Sequence, residues 1–278
     1  MTKTTRLDLL SHKEAGRKIV VVTAYDYSMA RLVDRAGVDA ILVGDSLGNV
    51  IQGHSSTIPV TLEHMIYHTS CVTRAQVEAM VVADLPFGVV QRGVAPTLDA
   101  SIRLMQEAGA EAVKIEGAGT RLAAVEAVAR EDLPVWGHLG LTPQSVHRFG
   151  GYRVQGRQEA AGRRILEDAR RLESAGASAL VLECIPHELS KEITAHLHIP
   201  TIGIGAGPDC DGQVLVLHDL LGFDEEFVPR FVKHYAKLGE TIPQALGRFV
   251  QEVRGGSFPT LQHSYSTTAK GAGKAGRR

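Results

Sequence analysis

The chain has 278 residues, a hydrophobic content of 44% and a formal net charge of −1. That balance excludes nucleic acid and anionic membrane as main partners, and no apolar run approaches the roughly 18 residues needed to cross a bilayer. Cys71, Cys184 and Cys210 are widely spaced and odd in number, which points to reduced thiols in a cytoplasmic protein and to neither a disulfide framework nor a zinc site.

Residues 1–18 are polar and carry no signal-peptide core. A first apolar run, 19–24, reads as a strand, and a helical pattern follows over 27–36. Ala36-Gly37-Val38-Asp39-Ala40 then leads into a strand over 40–44, with Asp45 just past its end. Residues 62–75 have a helical pattern and 79–84 are a strand ending in Asp84. After a helix over 98–108, Ala108-Gly109-Ala110-Glu111-Ala112 repeats the template and opens a strand over 112–116, ending in Glu116. A helix over 120–130 precedes a strand over 134–138 that ends in His138. The helical stretch 159–175 closes on Ala175-Gly176-Ala177-Ser178-Ala179, and the strand 179–183 ends in Glu183. A helix over 187–196, strands over 200–205 and 214–218, and a helix over 229–238 complete the series. Each Ala-Gly closes a helix, and each following run has the composition of a buried parallel strand.

Eight such strands with interleaved helices predict a single-domain (β/α)₈ TIM barrel over residues 1–262, with its active site at the C-terminal strand ends. The Gly-, Ala- and basic-rich residues 263–278 are expected to be a disordered tail. A doubly wound open sheet is the alternative; it would spread the strand-end acids along a line instead of a ring.

Asp45, Asp84 and Glu116 at three strand tips would make a hard, oxygen-rich site of the kind Mg²⁺ prefers. Glu183 is then a spare carboxylate, free to act as general base or acid. Lys114 lies two residues before Glu116, so both point to the same side of their strand. From there Lys114 can pair a bound carboxylate or a developing enolate, and Ser46 can donate to the same ligand. Each residue also has a plainer reading. Asp45-Ser46 and Asp84 fit turns or helix caps, Lys114 and Glu116 fit an internal salt bridge, and Glu183 fits a pair with a basic residue on a neighbouring strand. His138 fits a ligand contact and a hydrogen-bonded structural histidine equally well. His54, His64 and His68 form no metal set, and Gly203-x-Gly205-x-Gly207 lacks the Lys-Ser/Thr of a phosphate loop and reads as a close-packed turn. Residues 150–157 are a glycine-bearing polar loop, a surface loop by default and a lid by the sharper reading.

The segments VTAYDYSMA (22–30), LVGDSLG (42–48), QGHSST (52–57), ADLPF (83–87), VKIEG (113–117), GHLGLTPQS (137–145), VLEC (181–184) and IGIGAG (202–207) occur in this order. Together they resemble the ketopantoate hydroxymethyltransferase family, of the phosphoenolpyruvate/pyruvate type of (β/α)₈ barrel, across roughly residues 5–262. The resemblance implies transfer of a one-carbon unit from 5,10-methylenetetrahydrofolate to α-ketoisovalerate, giving ketopantoate on the route to pantothenate and coenzyme A. It implies Mg²⁺ on Asp45, Asp84 and Glu116, keto-acid contacts from Asp45, Ser46, Asp84 and Lys114, and proton acceptance by Glu183. It also implies a homodecamer. Two rival functions stand beside it: a Mg²⁺-dependent lyase or phosphonomutase acting on 2-oxo acids without folate, and a non-catalytic metabolite-binding barrel.

Overall fold

The computed structural model describes residues 3–223 and 228–267, so the expected tail lies, from residue 268 onward, outside the described residues. Eight parallel strands pair in sequence order and close, β1 against β8. They are β1 (Ile19–Thr23), β2 (Ala40–Val43), β3 (Met80–Asp84), β4 (Ala112–Glu116), β5 (Val135–Gly140), β6 (Ala179–Glu183), β7 (Thr201–Ile204) and β8 (Gly212–Leu215). The barrel predicted from the repeat is the observed fold.

Alternation along the strands splits the core into two layers. Ile41, Val43, Val81, Val113, Ile115 and Leu180 face outward and pack under the helices. Ala40, Leu42, Met80, Val82, Ala112, Trp136, Ala179 and Val181 face inward and fill the barrel. The same inward parity carries on to Asp84, Lys114, Glu116, His138 and Glu183 one or two steps further along their strands. The barrel interior is therefore apolar at its N-terminal half and polar at its C-terminal end. The crossover helices bury one face each; the helix Tyr27–Arg35 buries Ala30 and Val33, and its N-terminus is capped by Asp26, whose carboxylate accepts from the Ser28 and Met29 N–H groups. A cap of this kind stabilises a helix by about 1 kcal/mol.

Four sequence expectations change at the ends of the barrel. A helix at Arg6–Glu14, capped by a Thr5/Asp8 capping box, was not visible as a periodic pattern; it buries only Leu9, which joins the inner cluster. The last strand lies at Gly212–Leu215, not 214–218. Gly212 belongs to it by pairing with Ile19, and glycine is needed there because a Cβ would sit 2.5 Å from the Ile19 carbonyl oxygen. Thr23 Oγ1 then accepts the Leu217 N–H and ends the strand, so His218 falls in a short helix, Leu217–Leu220. Residues 229–238 are not a helix. Phe231 packs on Gly205 there, and Tyr235, Leu238 and Gly239 donate backbone hydrogen bonds to Leu220, Leu221 and Gly222. The helix begins where that one was expected to end, at Leu238–Arg254. No helix of the described residues is long and apolar enough to cross a membrane.

Gly140 marks where β5 meets the tip of β6. Its φ is +93°, and a Cβ would stand 2.1 Å from the Glu183 carbonyl oxygen. Gly140→Ala is expected to cost about 2–6 kcal/mol through left-handed strain plus overpacking, read as a fall in the urea midpoint. A variant as stable as the parent would show that this approach is not a constraint.

Candidate active site

A cavity of about 800 Å³ opens at the C-terminal ends of the strands, and Asp45, Ser46, Asp84, Lys114, Glu116, His138 and Glu183 all line it. The sequence-predicted residues are brought together without exception. Asp45, Asp84, Lys114 and Glu116 are 2%, 3%, 4% and 6% exposed, so the polar cluster is a true interior feature.

Lys114 stands at its centre. Its Nζ is 3.0 Å from Asp84 Oδ1, 3.2 Å from His138 Nδ1 and 3.7 Å from Glu116 Oε1. The internal ion pair anticipated for Lys114 is thus made chiefly with Asp84 on β3, not with Glu116 on its own strand. Asp84 Oδ1 has this ion pair but no hydrogen bond of good geometry, and distance rather than angle makes the contact. Asp84 Oδ2 accepts the Asp45 N–H at 2.9 Å, and Gly44 leaves room for Ser46, since a Cβ at Gly44 would sit 2.7 Å from Ser46 Oγ.

His138 links the two sides of the site. Nδ1 is 3.4 Å from Glu116 Oε1 and Nε2 is 3.2 Å from Glu183 Oε2. The structure therefore gives His138 a central position, and it gives Glu183 the basic neighbour on an adjacent strand that its plainer reading required. Directly after Glu183 the chain turns sharply, with Cys184 at φ +47°. Burial, aided by Glu183, pushes the Cys184 thiol up to about 12, so it is no nucleophile near neutrality.

Electrostatics reflect crowded negative charge. Burial and then the Glu116 and Asp84 carboxylates hold the Asp45 carboxyl well above its ordinary range. Burial likewise raises Asp84, although Lys114 opposes it. Burial alone would lower Lys114, but Asp84, Glu116 and Asp45 outweigh it and keep the ammonium charged. Burial works against Glu116 too, yet His138 and Lys114 hold it ionised, below the usual glutamate range. For His138, burial and Lys114 push downward, and the Glu116 and Glu183 carboxylates close to its two ring nitrogens prevail and raise it.

Among the described residues, no three Asp, Glu, His or Cys side chains are grouped closely enough to hold an ion unaided. Lys114 occupies the space between Asp84 and Glu116, so a cation here would need further oxygens from a ligand or water. The donor set still fits Mg²⁺: four carboxylates share the cavity floor with one lysine and one histidine, and all the anionic donors are hard oxygens.

Two residues escaped the sequence reading. Gln144, in the turn Pro143–Ser145, donates its backbone N–H to Glu116 Oε2 at 3.0 Å and its side-chain amide to Asp45 Oδ2 at 2.8 Å and Leu85 O at 2.9 Å. Tyr25, buried, shares a 2.8 Å hydrogen bond between its hydroxyl and Ser46 Oγ. Both lie inside motif segments just past strand ends, but neither is ionisable near neutrality, so charge patterning passed over them. His68 hydrogen-bonds the Tyr25 carbonyl on a distant part of the chain, and His64 accepts the Thr61 N–H within its own helix cap. Gly205 and Gly207 are tight-packing positions against Phe231 and His187, as the turn reading required.

Residues 3–261 match the family model described as Ketopantoate hydroxymethyltransferase. A protein from Trichlorobacter lovleyi named 3-methyl-2-oxobutanoate hydroxymethyltransferase is 56% identical over 264 residues, covering 95% of this chain and 99% of its own. Its namesake from Moorella thermoacetica is 54% identical, covering 95% and 98%. Among solved structures, a phosphonopyruvate hydrolase superposes with a TM-score of 0.61 at 13% identity, covering 96% of this chain and 92% of that one. A 2,3-dimethylmalate lyase gives 0.59 at 16% identity, covering 96% and 93%. At that identity these two bear on the fold alone.

Proposed function

The chain belongs to the ketopantoate hydroxymethyltransferase family and is an enzyme of that kind, and from this premise we propose that its site moves a one-carbon unit from 5,10-methylenetetrahydrofolate to α-ketoisovalerate by way of an enolate. One observation carries the mechanism: buried carboxylates outnumber cationic groups where an anionic keto acid has to bind. The substrate would be repelled unless a divalent cation accompanied it. Asp45 and Asp84 hold that cation in this reading, with Glu116 reaching it directly or through water, and the metal supplies Lewis-acid stabilisation of the charge on the keto oxygen.

The remaining steps belong to side chains. Lys114 pairs the keto acid's developing negative charge, and Ser46, oriented by Tyr25, donates to its carboxylate. Glu183 accepts the C3 proton as a carboxylate, with His138 Nε2, 3.2 Å from its Oε2, holding the side chain in place. Water releases the donor's methylene carbon as formaldehyde, both of its C–N bonds breaking while tetrahydrofolate takes up the two water protons; C3 then adds to the formaldehyde carbonyl, and the new alkoxide takes the proton that Glu183 removed. The cavity is much larger than a five-carbon keto acid. Its outer wall, with Tyr152, Arg153, Arg230 and Phe231, offers aromatic faces and cations suited to a folate with its glutamate carboxylate.

The enzyme works in the cytoplasm in this reading, where free thiols persist. It also self-associates, as the homodecamer expectation requires. Support comes from the helix Leu238–Arg254, which buries none of its residues and leaves Ile242, Leu246, Phe249 and Val253 exposed.

The test is a ketopantoate assay with and without the folate, and with and without EDTA. Product that forms only with folate and divalent metal is expected. Turnover of α-ketoisovalerate without folate would favour a lyase-type reaction, and Mg²⁺ and keto-acid binding with no turnover would favour a binding barrel. For Lys114→Met, the KM for α-ketoisovalerate should rise at least about tenfold, as loss of a charge-assisted contact worth about 1.5–3 kcal/mol implies, with a smaller effect on folate. The stem is conserved, so packing changes little. Normal kinetics with a lower melting temperature would mean that Lys114 is a structural counter-ion only.

A further inference from the structure

Gln144 is buried, and its three donor contacts go to three different βα junctions. The backbone N–H reaches Glu116 at the end of β4, and the amide reaches Asp45 after β2 and the Leu85 carbonyl after β3. Gln144 itself follows β5. The amide orientation is settled by its partners. The Leu85 carbonyl can only accept, so a flipped amide would set its oxygen against that carbonyl oxygen at 2.9 Å. Proline at position 143 fixes φ one residue earlier and stiffens the turn.

We propose that Gln144 is a positioning residue that decides which oxygens of Asp45 and Glu116 remain free for the divalent cation and keto acid. The proposal rests on the metal reading given above. With Asp45 Oδ2 engaged by the amide, Oδ1 takes no hydrogen bond from the described residues and is left as the ligand oxygen. With Glu116 Oε2 engaged by the backbone N–H, Oε1 is the oxygen turned toward Lys114 and His138. Freed of Gln144, the Asp45 carboxylate would rotate, and its repulsion from Asp84 and Glu116 would favour geometries in which the acids splay apart. Groups that orient metal ligands in this way typically contribute 10–100-fold to metal affinity or activity.

The decisive variant is Gln144→Met, which keeps the volume and the backbone N–H and removes the side-chain donors. Mg²⁺ binding to the purified protein is measured by calorimetry, with Mn²⁺ binding followed by electron paramagnetic resonance as a readout independent of turnover. The expected result is affinity weakened about 10–100-fold. Half-saturating Mg²⁺ in the assay should rise by the same factor, and kcat should recover most of the way at saturating metal. A merely structural role would lower the melting temperature without moving metal affinity, and affinity within about twofold of the parent overturns the proposal. Gln144→Asn, polar and one methylene short of both acceptors, provides the same comparison should the methionine variant fold poorly. A parent protein that takes up no Mg²⁺ or Mn²⁺ at all overturns the metal reading and this role with it; a loss confined to the variants supports both.

Discussion

Glu183→Gln is expected to lower turnover by roughly 10²–10⁴-fold while Mg²⁺ and α-ketoisovalerate still bind, the range typical of general acid–base catalysis. The substitution keeps the size of the side chain and a polar atom facing His138 Nε2, now 3.2 Å from Glu183 Oε2. What it removes is a carboxylate able to take a proton. Glu183 also has no bond to Gln144 or Lys114, the two residues that knit the other acids together, so its loss should leave that arrangement intact. Deuterium wash-in at C3, followed by NMR without folate, isolates the step. Exchange at the parental rate combined with failure to make ketopantoate would remove Glu183 from enolisation and assign it to a proton transfer involving the folate or the nascent hydroxymethyl group. Loss of metal binding would mean that Glu183 is a ligand and one of the other three acids is the base.

Asp84→Asn should abolish most metal binding, by more than about 100-fold, beyond what changes around the ligands produce. The amide can still accept the Asp45 N–H, so the fold survives, but its other end brings an NH₂ group against the Lys114 ammonium. Two effects on stability oppose each other. A buried ion pair is broken, and a carboxylate that repels Asp45 is removed. The pH dependence distinguishes them. A carboxyl whose folded pKa is raised holds its proton more tightly in the folded state. Without metal, stability is therefore lost as the pH climbs from the ordinary aspartate value, about 4, through the raised pKa of Asp45. Mg²⁺ needs ionised ligands, so its stabilisation should be larger near pH 8 than near pH 5 in the parent protein. In Asp84→Asn both the metal-free decline and the rescue should shrink, which thermal melting with EDTA or Mg²⁺ at the two pH values will read. Parental activity at limiting Mg²⁺ would show that Asp84 is not a ligand.

The barrel and its ring of acids were legible because both rest on repetition. The Ala-Gly template fixed strand ends to within a residue or two, and the acids at Asp45, Asp84, Glu116 and Glu183 follow from strand ends plus charge. The outcome was poorer where the template lapses. Residues 229–238 have an apolar pattern that suits a helix, yet Phe231 uses its bulk to cover Gly205 and the backbone pairs with 220–222 instead. The helix Arg6–Glu14 buries a single leucine and so leaves almost no periodic trace. Within the site, the partner choices were out of reach. Lys114 selects Asp84 across a strand boundary, and Gln144 crosses from the β5 turn to Asp45, contacts fixed by the closure of the barrel and by no local spacing.

The inward parity of the strands has a consequence for how the chain finds its fold. Moving β4 by one residue against β3 and β5 would turn Val113 and Ile115 into the barrel mouth and drive Lys114 and Glu116 under the helix layer. Cut off from Asp84 and His138, the two charges in that apolar layer would cost more than the misaligned ladder could return, even paired with each other. The same holds for β3 through Asp84 and for β6 through Glu183. The groups that make the site chemically potent also act as a register code, so mispaired barrels are rejected during folding and mutations that neutralise these charges should widen the set of misfolded products as well as slow the reaction.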